Sequence, residues 1–355
     1  MKQELEKLCT EFIANRDTVR DTFRWENAAV YPVCANLFCA GGRSAEKDRL
    51  IECRKVISEQ TGLFSKFKGK LSPILSCLLA LDDHPQERMA LAIDYYHLLK
   101  QTFKDTEYLA LIAFLLPGVG ERSLMEERIA RGKQLFRRMD KEHPILTNQS
   151  DSVFAMTLAF SEKNDDALIE DLEACYQALK KYFSSSDAVQ TAAQILAMAV
   201  GTPEEKAQRV IDLYDALQEA GVEYGRSSEL APLAALSLTD LPLQSLVDEI
   251  KEVDAFLKDQ KSYGSVEKNQ RALHAAIIVS DQYAVTGQVN STVMTNTLDI
   301  LIAKQKSLYF SLLVNTIQVA AEILGSMSNK EADNTENRSN EAGEAQQGEG
   351  ESDDR

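Results

Sequence analysis

Glycine and proline are scarce, with 16 and 8 in 355 residues. Few positions therefore break a regular backbone, and the abundant Leu, Ala, Glu and Lys favour helix over sheet. Histidine occurs four times, at His84, His97, His143 and His274, and no HExxH or other metal-ligand spacing can be built from these. The six cysteines (Cys9, Cys34, Cys39, Cys53, Cys77, Cys175) form no CxxC pair. Most lie among helix formers, where cysteine behaves as a small core hydrophobe. Free thiols in a reducing cytoplasm are the expectation, with no metal and no cofactor.

Long apolar runs are also missing. The longest uncharged one, Leu308 to Ala321, spans about 14 residues and is interrupted by Asn315 and Gln318. A membrane span needs about 20, so a buried core helix is expected, and peripheral membrane contact through Leu308 to Leu324 is the weakest alternative. The opening MKQELEKLCTEF is amphipathic rather than a signal-peptide core. Positive charge is in deficit, with a net charge of −16. Lys330 to Arg355 carries nine acids and three bases, leaving a body near −10. Such a body argues against nucleic acid, whose phosphates need Lys and Arg, and against anionic lipid.

Catalytic motifs are equally sparse. The GxG in PGVGERS (Pro117 to Ser123) follows an apolar helix rather than a strand, and no Lys-Ser/Thr pair follows it. It reads as a turn and not as a phosphate loop. No GxSxG nucleophile elbow exists.

What the chain does contain is helix after helix. Lys2 to Phe23 places Leu5, Leu8, Phe12 and Val19 on or near one stripe. Trp25 to Cys39 closes at Gly41-Gly42, where glycine supplies a left-handed cap. Ser44 opens a third helix that stops at Gly62, and these three make an N-terminal block over residues 1–70 with its linker.

From Pro73 to residue 283, apolar helices alternate with amphipathic ones. One core position of the amphipathic helices recurs at Leu99, Met139, Leu179, Leu217 and Leu257, in steps of 40, 40, 38 and 40 residues. Tyr95, Leu135, Cys175, Leu213 and Val253 precede these by four residues, and Ala92, Gly132, Leu172, Val210 and Ile250 by seven. Those spacings share one helical face. The turns carry helix-start chemistry: Thr202-Pro203-Glu204-Glu205 and Ser123 with Glu126 as capping boxes, and Asp83 with Pro85 and Asp240 with Pro242 as related starts. The expected fold is all-α, an array of stacked helical hairpins with a repeat near 40 residues. It is either solenoid-like or a compact bundle. A capping helix region over 284–326 and a disordered acidic tail over 327–355 complete it.

Two stretches stand apart from this pattern. Gly62 to Ser72 places Phe64, Lys66, Phe67 and Lys68 between glycines. They form either a basic, aromatic docking strip or a linker whose phenylalanines plug a seam. His143 to Asp151 clusters His143, Thr147, Asn148, Ser150 and Asp151 around Pro144. They form either a small polar pocket or ordinary helix-end chemistry, with His143 on the preceding carbonyls, Asp151 capping the next helix, and Ile145 and Leu146 anchored in the core.

TGLFSKFKG at Thr61 to Gly69 and MDKEHPILTNQSDSVFAMTLA at Met139 to Ala159 carry a family resemblance. The chain resembles an uncharacterised family of Firmicutes proteins, the domain of unknown function numbered 4003, from the N-terminal helices to about residue 310. The resemblance implies a bacterial, all-helical protein, with Ile145 a departure where the family pattern carries Phe. It implies no activity, cofactor or substrate. Two functions remain open on the sequence. One is a non-enzymatic cytoplasmic protein that binds a protein or peptide partner. The other is an enzyme or small-ligand binder with its pocket at the His143–Asp151 loop.

Overall fold

A computed structural model of the chain describes residues 1–24, 26–116, 122–149, 151–161, 163–239 and 241–285. The GxG turn, Ser150, Asp240, the helix expected over Leu298 to Leu324 and the acidic tail lie outside them. Fourteen α-helices and no strand occur among the described residues. In order they are α1 (Gln3–Thr22), α2 (Val30–Ala40), α3 (Lys47–Gln60), α4 (Ser72–Ala80), α5 (Pro85–Lys100), α6 (Glu107–Leu115) and α7 (Arg122–Glu142). Then come α8 (Asp151–Leu158), α9 (Asp165–Lys180), α10 (Ser186–Ala197), α11 (Pro203–Glu219), α12 (Leu230–Ser237), α13 (Leu243–Lys258) and α14 (Lys268–Val285). No described helix is long and apolar enough to cross a membrane.

The helices are of two kinds. Even-numbered helices such as α2, α4, α6 and α12 are buried nearly all round, whereas odd-numbered ones bury one stripe. Leu99, Met139, Leu179, Leu217 and Leu257 all lie in that stripe and are all buried. Each odd helix packs on the even helix that follows it. The starts of α3, α5, α7 and α11 bond to the ends of α4, α6, α8 and α12 through Arg49, Arg88, Arg128 and Arg209, so packed neighbours run antiparallel and the buried helices share one direction.

Hairpins adjacent in the chain pack side by side, odd helix on odd (α1 on α3, α3 on α5, α7 on α9, α9 on α11, α11 on α13) and even on even (α2 on α4, α4 on α6, α6 on α8, α10 on α12, α12 on α14). The last described hairpin returns to the first, with α14 against both α1 and α2, and α13 against α1. The described chain thus closes on itself, with the even helices inside and the odd helices outside. Phe12 meets His274 at 6.3 Å between ring centroids, and the Arg16 guanidinium lies 5.0 Å from the centre of the Tyr263 ring across the same junction.

Local signals explain most boundaries. Gly42 takes φ +62° past α2, and Arg43 N donates to Phe38 O at 3.0 Å. Gly221 does the same past α11 with φ +80° and Val222 N on Leu217 O at 2.9 Å. At α11 the expected capping box forms between Thr202 and Glu205. The helix expected from Trp25 instead starts at Val30. The Tyr31 hydroxyl donates to Phe23 O and Glu26 O, at 2.8 and 3.1 Å, and holds the preceding residues in a turn. Before α5 the cap position is His84 rather than Asp83, because the Asp82 carboxylate accepts from His84 N.

Candidate functional site

Both singled-out stretches lead from an outer helix into an inner one, so they lie at the same end of the molecule. In the first, Lys66–Lys68 forms a 3-10 turn whose Ser65 hydroxyl accepts from Phe67 N at 3.3 Å. Lys68 Nζ donates to Thr61 O at 3.0 Å and closes the loop. Phe67 is 1% exposed, wedged against Tyr96 and Phe114 with ring centroids 5.0 and 5.8 Å away. Leu63 and Phe64 point the other way, 80% and 92% exposed. The expected strip is therefore divided: Phe67 and Lys68 hold the loop together, Lys66 is half-buried, and Phe64 faces solvent. Farther on, Leu71 N donates to Glu107 Oε2 at 3.2 Å. That carboxylate fills the space a side chain on Gly69 would need.

In the second stretch, Leu146 N and Thr147 N both donate to His143 O. This tight turn swings Ile145 outward, 95% exposed, so Ile145 does not anchor the loop in the core; Leu146 alone packs there. His143 turns away from the loop. Its Nε2 lies 2.7 Å from Glu173 Oε2 on α9, and its ring sits 4.4 Å from that of Tyr176. Asn148 is exposed, and its side chain donates to Leu146 O at 3.3 Å.

Asp151 turns inward and is buried at the first residue of α8. It accepts from Asn148 N at 2.8 Å, from Gln190 Nε2 at 3.2 Å and from Gln194 Nε2 at 2.5 Å. Gln190 also donates to Thr147 Oγ1 at 3.4 Å. The polar cluster thus splits: Thr147 and Asp151 converge on α10, and His143 does not join them. Burial pushes the Asp151 carboxyl above the ordinary carboxylate range, against the pull of its three donors. The Tyr108 hydroxyl is likewise raised by burial, and further by the nearby Asp151 charge. Gln190 Oε1 and Gln194 Oε1 are buried without a hydrogen-bond partner. Each such acceptor costs about 1–3 kcal/mol. Neither glutamine stood out in the sequence, although two polar residues four apart in the apolar AVQTAAQILAMAV are a signal of a partner inside.

At the opposite end, cations from outer helices reach the last carbonyls of inner ones. Arg49 donates to Asp82 O at 2.7 Å, Arg128 to Ala159 O at 2.9 Å and Arg209 to Thr239 O at 2.5 Å. Arg88 bonds Phe114 O in the same way. Positive charge there complements the negative ends of the helix dipoles. In the fifth hairpin, α9 with α10, two lysines take over, Lys163 and Lys206, both on Ala199 O and both paired with Asp171. A groove of about 430 Å³ lies at this end, lined by Arg43, Arg49 and Asp83 among others. Arg43 and Asp83 are already paired across it at 2.7 Å. Among the described residues no group of three or more His, Cys, Asp or Glu side chains could hold a metal ion.

No curated protein and no solved structure matched the chain. The family described as "Protein of unknown function (DUF4003)" matches residues 15–307, which takes in both loops, the Asp151 cluster and every helix from α2 to α14. The chain belongs to that family.

Proposed function

We propose that the chain is a non-catalytic helical protein of the cytoplasm, a closed array of hairpin repeats whose loop end docks a protein partner. The observation that carries this reading is the exposure of Leu63, Phe64 and Ile145 on two loops at that end. Single exposed apolar residues are ordinary. These three differ because their loops are pinned, one by Lys68 on Thr61 O and the other by Asp151 on Asn148 N. Apolar side chains held on ordered loops bind with little further loss of entropy. The partly exposed Lys66 and Lys70 beside Phe64 favour a partner segment that mixes apolar and acidic residues.

The test compares the intact chain with a Leu63→Ser/Phe64→Ser/Ile145→Ser variant of equal melting temperature, each used as bait in cell lysate. A protein retained by the first and lost from the second, then reconstituted as a purified pair, supports the proposal. Identical recoveries from the two baits overturn it.

A further inference from the structure

We propose that the buried cluster of Asp151, Gln190, Gln194 and Thr147 is a binding site for one small monovalent cation, an alkali ion or an ammonium group. The inference does not rest on partner docking, because the cluster is buried and includes none of Leu63, Phe64 and Ile145.

Charge comes first. The Asp151 carboxylate is 4% exposed, and no Lys, Arg or His is paired with it among the described residues. Buried charges are ordinarily paired or bound to an ion. The N-terminus of α8 offsets only about half a charge, so the cluster stays negative when the carboxyl is ionised.

Next come the donor atoms. Both glutamine amides are oriented by the same carboxylate, with their Nε2 groups turned to Asp151 Oδ1. Their Oε1 atoms are left without partners, on side chains only 3% and 0% exposed. The two residues are four apart on α10, so the two oxygens share one face. Thr147 Oγ1 joins them from the loop, 3.4 Å from Gln190 Nε2. Every available donor is oxygen, which suits a hard cation or an N–H cation rather than zinc or copper. One carboxylate among neutral oxygens matches a single positive charge and is a poor cage for a divalent ion.

The experiment is thermal unfolding of the full chain after exhaustive dialysis into choline chloride, with sodium, potassium or ammonium chloride substituted at constant ionic strength. One of these should raise the melting temperature saturably by several degrees, and Asp151→Asn and Gln190→Leu/Gln194→Leu should abolish the rise. Responses that match choline, or that survive in both variants, overturn the site. So does a response confined to magnesium or calcium. Should either variant fail to fold, crystals of the wild-type chain soaked in rubidium chloride decide. An anomalous peak within coordination distance of both Gln Oε1 atoms supports the proposal, and a bridging water only refutes it.

Discussion

Lys2 Nζ donates to Glu249 Oε1 at 2.6 Å, although 247 residues separate them. The other oxygen of Glu249 accepts from the Tyr283 hydroxyl, so one carboxylate on α13 ties together the first and last described helices. Lys2 is exposed and Glu249 is not. Exposed ion-pair partners contribute about 0–1 kcal/mol, whereas a hydrogen bond to a buried charged group contributes about 1.5–3 kcal/mol. Lys2→Met should therefore barely move the urea midpoint. Glu249→Ala should lower stability by about 1.5–3 kcal/mol, and equal effects would show that the carboxylate does not serve Tyr283.

His274 sets an acid limit on the same junction. Burial, assisted by the Arg16 charge, pushes its imidazole down to about 3, and the Tyr263 hydroxyl lies 3.1 Å from Nδ1. The unfolded chain titrates near 6.5, so between about pH 6.5 and 3 it binds more protons than the folded one. Stability contributed by the neutral ring is present above 6.5 and is lost as pH falls through this window. His274→Gln should flatten that part of the stability curve, by up to a few kcal/mol toward its acid end. Denaturation at pH 7 and at pH 5 compares the two slopes.

Two phenylalanines three residues apart should behave oppositely. Phe67→Ala empties the space between Tyr96 and Phe114 and should cost about 3–5 kcal/mol. Phe64→Ala removes a side chain already in solvent and should stay within about 0.5 kcal/mol. Calorimetry on both variants checks the contrast.

All six cysteines are free and buried. Burial raises the thiols of Cys9 and Cys175 to about 12 and that of Cys53 to about 11. Only the thiolate attacks a disulfide reagent. The native protein should therefore give almost no reaction with an aromatic disulfide at pH 8, and all six thiols should react in guanidinium. Rapid native labelling of any one would mean its helix opens.

Gly69 tests the clamp at the start of α6. A methyl group there meets the Glu107 carboxylate, which must then release Leu71 N. Gly69→Ala should cost about 1–3 kcal/mol, the penalty of an orphaned buried group. Adding Glu107→Ala should not double the loss, because the two changes break one contact.

Helix positions were legible in the sequence because their signals are local: Thr202 with Glu205, Gly42 and the buried stripe ending at Leu257. Closure was not. An apolar helix such as α12 announces that both its sides are covered but not by what, and the junction of α14 with α1 joins segments from opposite parts of the chain. The same limit applied to the polar cluster. Thr147 and Asp151 were visible beside Pro144, while Gln190 and Gln194 sit on another hairpin, and no local rule aims an amide at a distant carboxylate. Ile145 was misread because its apolar neighbour Leu146 is buried. Only the turn on His143 O separates their directions.

Closure of the array also fixes an order of events in time. The face of α1 that meets Tyr263, His274 and Glu249 has no partner until α13 and α14 have been made. At about 5–20 residues per second, the 247 residues between Lys2 and Glu249 take roughly 12–50 s to synthesise. During that interval the first helix presents an unfinished apolar surface on the ribosome. Its helpers there would be the chaperones that shield nascent chains, and a version of the protein permuted to begin at α13 would move the open seam to the α11–α13 and α12–α14 contacts rather than remove it.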